Sequence, residues 1–279
     1  MTRAIKSILD VAMEYDAIVL DQWGVLHDGS QPYPGAVTAL ESLRNAGARL
    51  AVLSNSGKRA SVNEARIAAM GFAPDLFDQV MTGGEALWRD VRSGRVPERR
   101  YFSVERGCGD AEAWADGLEI TICDAPEEAD AILIMGLPEN AVAGDWLDVL
   151  DRAMTAGMTV YCSNPDRASP REGNRNILAP GALAHTYKAN GGNVVLYGKP
   201  HRHVFAAVEH SLGGSRLLMV GDSLEHDIAG AHDSDWDSVF VQGGLLRRNF
   251  TEGDASDVLA ALCHSGALPA PTYQIERLA

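Results

Sequence analysis

Short uninterrupted apolar runs alternate along this chain with segments whose apolar positions recur at helical spacing. The first pattern predicts buried strands and the second helices packed on one face. An amphipathic helix is expected over 4–14, then a buried strand over 17–21 (Ala-Ile-Val-Leu-Asp). Residues 35–46 are apolar at helical spacing and stop at Gly47, a C-cap signal, and a strand follows over 49–53. A strand, a crossover helix and a second strand form a βαβ unit, which implies a parallel sheet with a right-handed connection. Helix 59–70 and strand 79–82 continue the series, and Gly83-Gly84 then reads as a hinge. The alternation restarts beyond it with helix 85–93, strand 100–104, helix 110–116, strands 118–122 and 131–135, helix 142–155 and strand 158–162. After a polar loop over 164–176 come helix 181–190, strand 194–197, helix 201–212 and strands 216–220 and 238–241. The expected fold class is α/β: a discontinuous parallel-sheet core over 1–83 and 186–279, interrupted by an inserted α/β domain over 84–185.

Composition narrows the classes of partner. A chain of 279 residues with 46% hydrophobic and 22% charged residues is ordinary for a globular protein and long enough for one large or two smaller cores. Its net charge of −14 argues against nonspecific binding to nucleic acid or an anionic membrane, both of which would be repelled. Cys108, Cys123, Cys162 and Cys263 lack metal-ligand spacing, and reduced thiols in a cytoplasm fit them best. The first sixteen residues are interrupted by charge, unlike a signal peptide, and the longest apolar run, 131–137, cannot span a bilayer. The sequence leaves a homo-oligomer open.

Chemistry-bearing residues fall at the ends of the apolar runs, where open α/β sheets bind ligands. Asp21 ends the first run, Ser54 and Asn55 follow the second, Lys199 stands in Gly-Lys-Pro after the run at 194–197, and Asp222 follows Leu-Leu-Met-Val-Gly with Asp227 five positions on. Carboxylates suit a hard divalent cation, and Asp is also a nucleophile. Each residue has a plainer reading: a turn Asp, a Ser N-cap, an exposed Lys, an acid at a helix start. Arg167, Arg171 and Arg175 cluster after Asn164-Pro-Asp166, either as readers of a substrate anion or as a solvated loop.

The motif order resembles the haloacid dehalogenase superfamily: Asp21 in the first motif, Ser54 in the second, Lys199 in the third, Asp222 and Asp227 in the fourth. Leu-His-Asp-Gly, Pro34-Gly-Ala, Asn164-Pro-Asp166 and Gly198-Lys-Pro200 resemble its NagD-like, class IIA branch. The resemblance implies a Rossmann-like core with an α/β cap over the site and Mg²⁺ held by Asp21, the Trp23 carbonyl and Asp222, with Asp227 behind them. It also implies phosphoryl groups held by Ser54, Asn55 and Lys199, and a phosphohydrolase that acts on a small phosphorylated metabolite through an aspartyl phosphate on Asp21. The chain departs from the phosphatase pattern at Trp23, where the superfamily usually has a second Asp as general acid and base. An indole has one neutral donor and cannot replace it. His27 and Asp28 read as hairpin structure, and Trp23 itself as core filling. A slow phosphatase, or a ligand-binding or regulatory protein that keeps the site, is therefore expected; carbon–halogen or carbon–phosphorus cleavage is a third reading.

Overall fold

The computed structural model describes residues 2–171, 175–214 and 216–278. Its first stretch contains β1 (Arg3–Ala4), β2 (Ala17–Leu20), α1 (Ala36–Asn45), β3 (Leu50–Ser54), α2 (Ala60–Ala69) and β4 (Gln79–Thr82). Next come α3 (Gly83–Arg92), β5 (Arg100–Val104), α4 (Asp110–Ala115), β6 (Thr121–Cys123), β7 (Ala131–Ile134), α5 (Leu147–Thr155) and β8 (Thr159–Cys162). They are followed by β9 (Ala168–Arg171), β10 (Arg175–Leu178), α6 (Pro180–Ala189) and β11 (Val194–Leu196). The last stretch holds α7 (Arg202–Leu212), β12 (Leu217–Gly221), α8 (Ala229–His232), β13 (Asp237–Val241), α9 (Ala255–Gly266) and β14 (Tyr273–Ile275).

The chain forms two compact units, one of Met1–Ser54, Ser61–Met81 and Lys199–Ala279, the other of Asn55–Ala60 and Thr82–Gly198. The first is built on a seven-stranded sheet of order β1-β14-β13-β12-β2-β3-β4, parallel from β1 through β3. β2 and β12 are buried along their whole length, as strands between two neighbours in a parallel sheet must be. α1 ends as expected: Gly47 takes φ +91° and donates its N–H to the Arg44 carbonyl. The second unit has a parallel sheet of order β11-β8-β7-β5-β6, with Ile132, Ile134, Val160, Leu183 and Tyr187 in its core. No helix among the described residues is long and apolar enough to cross a membrane.

Several expectations change. The stretch 4–14 is not one helix. Asp10 accepts from the Ser7 and Lys6 N–H groups and Ser7 Oγ from Leu9 N, which breaks the segment into two 3₁₀ turns, and Arg3–Ala4 pairs with β14 instead. Gly83-Gly84 is the buried start of α3 rather than a hinge; Thr82 caps the helix by accepting from Glu85 N. A Cβ at Gly84 would lie 2.1 Å from the Gly57 carbonyl oxygen, so glycine permits close packing there. The loop over 164–176 contains an antiparallel hairpin, β9 with β10. The expected resumption of the core at 186 moves to Lys199, because β11 pairs with β8 and α6 packs on the same sheet.

Candidate active site

Sheet order gathers the first unit's chemistry at the carboxyl ends of three adjacent strands. Asp21 directly follows β2 and donates its N–H to the Val220 carbonyl, extending the ladder with β12 by one residue. Asp222 directly follows β12, and Ser54 is the last residue of β3 on the other side. Lys199 precedes α7, the helix that leads back into β12, and its buried ammonium donates to Asp21 Oδ1 at 2.5 Å and to Asp227 Oδ1 at 2.6 Å. Asp227 sits in a π-helical turn over Leu224–Ile228, where its other oxygen accepts from Ser223 N at 3.1 Å. Gly221 makes this possible: a Cβ there would lie 2.2 Å from Asp227 Cβ.

Oxygens of Asp21, Asp222 and Asp227 lie within 4.8 Å of one another. Burial, together with the Asp227 charge, outweighs the Lys199 contact and pushes Asp21 up to about 7. Burial and the two neighbouring carboxylates raise Asp222 well above the ordinary carboxylate range. Burial works against the Lys199 charge, yet Asp21 and Asp227 hold its pKa above the usual lysine value. Three carboxylates and one ammonium leave a formal charge of −2, which a divalent cation would balance. All-oxygen donors suit the hard ions Mg²⁺ and Ca²⁺.

Close backbone approaches complete the Asp222 surroundings. Leu245 N donates to Asp222 Oδ2 at 2.6 Å. A Cβ on Gly244 would meet that oxygen at 2.2 Å and one on Gly24, which has φ +92°, at 1.8 Å. Sequence reasoning misses the roles of Gly24, Gly244 and the Leu245 amide, for which the glycines after the strands are the one available signal.

Trp23 is half-buried, and its indole donates from Nε1 to the Asp28 carbonyl at 3.0 Å. It therefore clasps the 23–29 turn and does not fill the core. Asp28 Oδ1 accepts from Ser30 N and Gln31 N, both at 2.8 Å, and these bonds hold its pKa below the usual value. Such a carboxylate carries no proton to donate. His27 is buried, accepts from Gly29 N at Nδ1, and is pushed down to about 4 by burial and by Arg66. Both residues serve the hairpin. Among the described residues, His27 Nε2 and Gln22 Nε2 are buried without a partner.

The other predicted residues belong to the second unit. The Asn55 amide donates to Asp166 Oδ1 at 2.7 Å, and Asn164 Oδ1 accepts from Asp166 N. The Asn-Pro-Asp signature thus anchors the 55–60 segment, and the Asn55 side-chain amide faces a carboxylate. Arg167 is exposed, and Arg171 stands opposite Arg175 in the hairpin register.

The carboxyl edge of a parallel α/β sheet is where such folds bind ligands, and a cluster of buried, perturbed carboxylates around a lysine there marks a candidate catalytic site. Residues 18–112 match the family model described as haloacid dehalogenase-like hydrolase, and residues 196–263 a second one described as HAD-hydrolase-like. The chain belongs to the haloacid dehalogenase-like hydrolases. It is 27% identical over 240 residues to D-glycerol 3-phosphate phosphatase of Mycobacterium tuberculosis, covering 84% of this chain and 65% of that protein. A crystal structure of a haloacid dehalogenase-like hydrolase from Brucella suis superposes with a TM-score of 0.80 at 28% identity, over 99% of this chain and 100% of the other. Glycerol phosphate phosphatase from Mycobacterium tuberculosis, solved in complex with magnesium, has a similar fold: TM-score 0.70 at 24% identity, covering 86% of this chain and 70% of that one.

Proposed function

We propose that this hydrolase cleaves the phosphomonoester of a small metabolite with Mg²⁺ as cofactor. The observation that carries the reading is the Lys199 bridge between Asp21 and Asp227 with Asp222 in the same carboxylate cluster. In this reading Asp21, Asp222 and the Trp23 carbonyl ligate the ion, Asp227 orients Lys199 from behind, and the ion supplies charge neutralisation at the phosphoryl oxygens. Asp21 attacks phosphorus through a carboxylate oxygen; the P–O bond to the alcohol breaks and an aspartyl phosphate forms. Water then attacks that phosphorus, releasing inorganic phosphate and restoring Asp21. Lys199 cancels the nucleophile's charge as the anionic ester approaches, and the Ser54 hydroxyl donates to a phosphoryl oxygen.

The Asn55 amide is engaged with Asp166, so we assign side-chain contact with the phosphoryl group to Ser54 and Lys199. Arg167 is assigned as a reader of an anionic group on the metabolite, the side chains of Arg171 and Arg175 lying outside what the structure describes; the second unit is the counterpart of the branch's cap. Trp23 favours a second reading, a slow enzyme that chiefly binds its ligand, because neither the indole nor Asp28 supplies a proton to the leaving oxygen.

Phosphate release from p-nitrophenyl phosphate tests the main reading. Activity should require added Mg²⁺ and disappear in Asp21→Asn. Turnover without the ion, or activity retained in that variant, would overturn it. Tight binding of a phosphate ester with no turnover would favour the second reading.

A further inference from the structure

One face of α3 carries chemistry that the hydrolytic site does not use. Glu85, Trp88, Arg89 and Arg92 fall at i, i+3, i+4 and i+7 on that helix, and together with Ser93 and Arg59 they line a cavity of about 530 Å³ within the second unit. It is open-sided, so an anion held there keeps part of its hydration. The surroundings fix the arginines. Glu85 is buried and accepts from Arg59 Nε at 2.7 Å through one oxygen and from Arg89 Nε at 3.0 Å through the other. The Arg59 guanidinium lies 3.6 Å from the Trp88 ring centroid and that of Arg92 5.0 Å from it. Thr82 Oγ1 donates to the Lys58 carbonyl at 2.6 Å and accepts from Glu85 N, which ties the segment carrying Arg59 to the start of α3.

Three guanidinium groups therefore line this cavity, two of them held by the one carboxylate and two stacked against the one indole, in a chain of net charge −14. Arginines near a helix C-terminus are favoured by the macrodipole, which accounts for Arg89 and Arg92. It does not account for Arg59, which arrives from another segment and is stacked on Trp88. Guanidinium groups held in place lose little freedom on binding, and their planar forks match the paired oxygens of phosphate and carboxylate.

We infer that the cavity lined by Arg59, Trp88, Arg89 and Arg92 is a binding site for a small oxyanion, a phosphate- or carboxylate-bearing metabolite. The test uses the full chain stripped of divalent metal, in which the carboxylate cluster around Asp21 repels anions. Inorganic phosphate and citrate are titrated separately by calorimetry at low salt. One of them should bind with one-to-one stoichiometry, and Arg92→Glu, a change at an exposed position, should weaken it by at least about tenfold, the charge-assisted contact being reversed in sign. Arg89→Ala should weaken it in the same direction. Circular dichroism melts of both variants establish that they fold. Binding of phosphate alone identifies a phosphate-bearing ligand, and binding of citrate alone a polycarboxylate. The inference is overturned if neither anion binds in the millimolar range, or if both folded variants bind as the wild type does.

Discussion

Trp23 concentrates the conflict between what this site keeps and what it lacks. Its indole is spent on the Asp28 carbonyl, and Asp28 is held ionised by two backbone amides, so neither delivers a proton. Ester hydrolysis should then depend on leaving-group acidity: p-nitrophenyl phosphate should turn over far faster than an alkyl phosphate. Trp23→Asp should raise alkyl-phosphate turnover by about 10²-fold, the usual worth of a positioned acid. Trp23→Asn removes the same indole without adding an acid, and should give no such gain. Wild-type protein that hydrolyses alkyl and aryl esters equally fast would show that another group supplies the proton. At this scale the sequence is informative where a residue's position follows from its place at the end of a strand, as for Asp21, Ser54 and Asp222. It is silent on Asn55, whose partner Asp166 lies 111 positions away and is chosen by packing.

At the scale of elements, strands buried on both faces announce themselves as apolar runs, and β2 and β7 fall within the expected residues. Three-residue β14 is too short to carry a period, and whether β11 joins one sheet or the other depends on a partner strand that no local pattern names. The expected series of elements stops at 241 and omits α9, although Asp254 caps its start by accepting from Ser256 N and Asp257 N. The turn after β13 shapes the carboxylate cluster without contributing a charge, since Gly244 is packed against Asp222. In Gly244→Ala the new Cβ would need the space of Asp222 Oδ2, 2.2 Å away, and of the Asp222 Cβ, 2.4 Å away. Overpacking of this kind costs about 1–3 kcal/mol, and moving the carboxylate relieves it. Mg²⁺ affinity measured by calorimetry should fall by about tenfold or more, since 1.4 kcal/mol is a factor of ten. Gly144→Ala, where a Cβ meets nothing within 4 Å, is the matched control and should bind as wild type. Equal affinity in the two variants would show that Asp222 does not need its present position.

For the whole molecule, the carboxylate cluster is a cost to folding that the cofactor relieves. Asp21 is raised to about 7 and Asp222 in the same direction, both chiefly by burial. A carboxyl whose folded pKa lies above its unfolded value binds protons more tightly when folded. Its contribution to stability is full below the unfolded value and is lost as pH rises through the folded one. The metal-free protein should therefore lose melting temperature between about pH 4 and pH 7 on account of this cluster. Mg²⁺ competes with those protons, so its affinity should climb over the same interval. At a concentration one hundred times its dissociation constant the ion adds about 2.7 kcal/mol to folding, a shift of a few degrees for a chain of this size. The rise in melting temperature on adding Mg²⁺ should thus be larger at pH 8 than at pH 5.5. In Asp222→Asn it should be mostly abolished, and the metal-free variant should melt higher at pH 8 than metal-free wild type, because one buried charge is gone. Melting temperatures that ignore Mg²⁺ at pH 8, or an undiminished Mg²⁺ shift in Asp222→Asn, would remove the ion from this cluster.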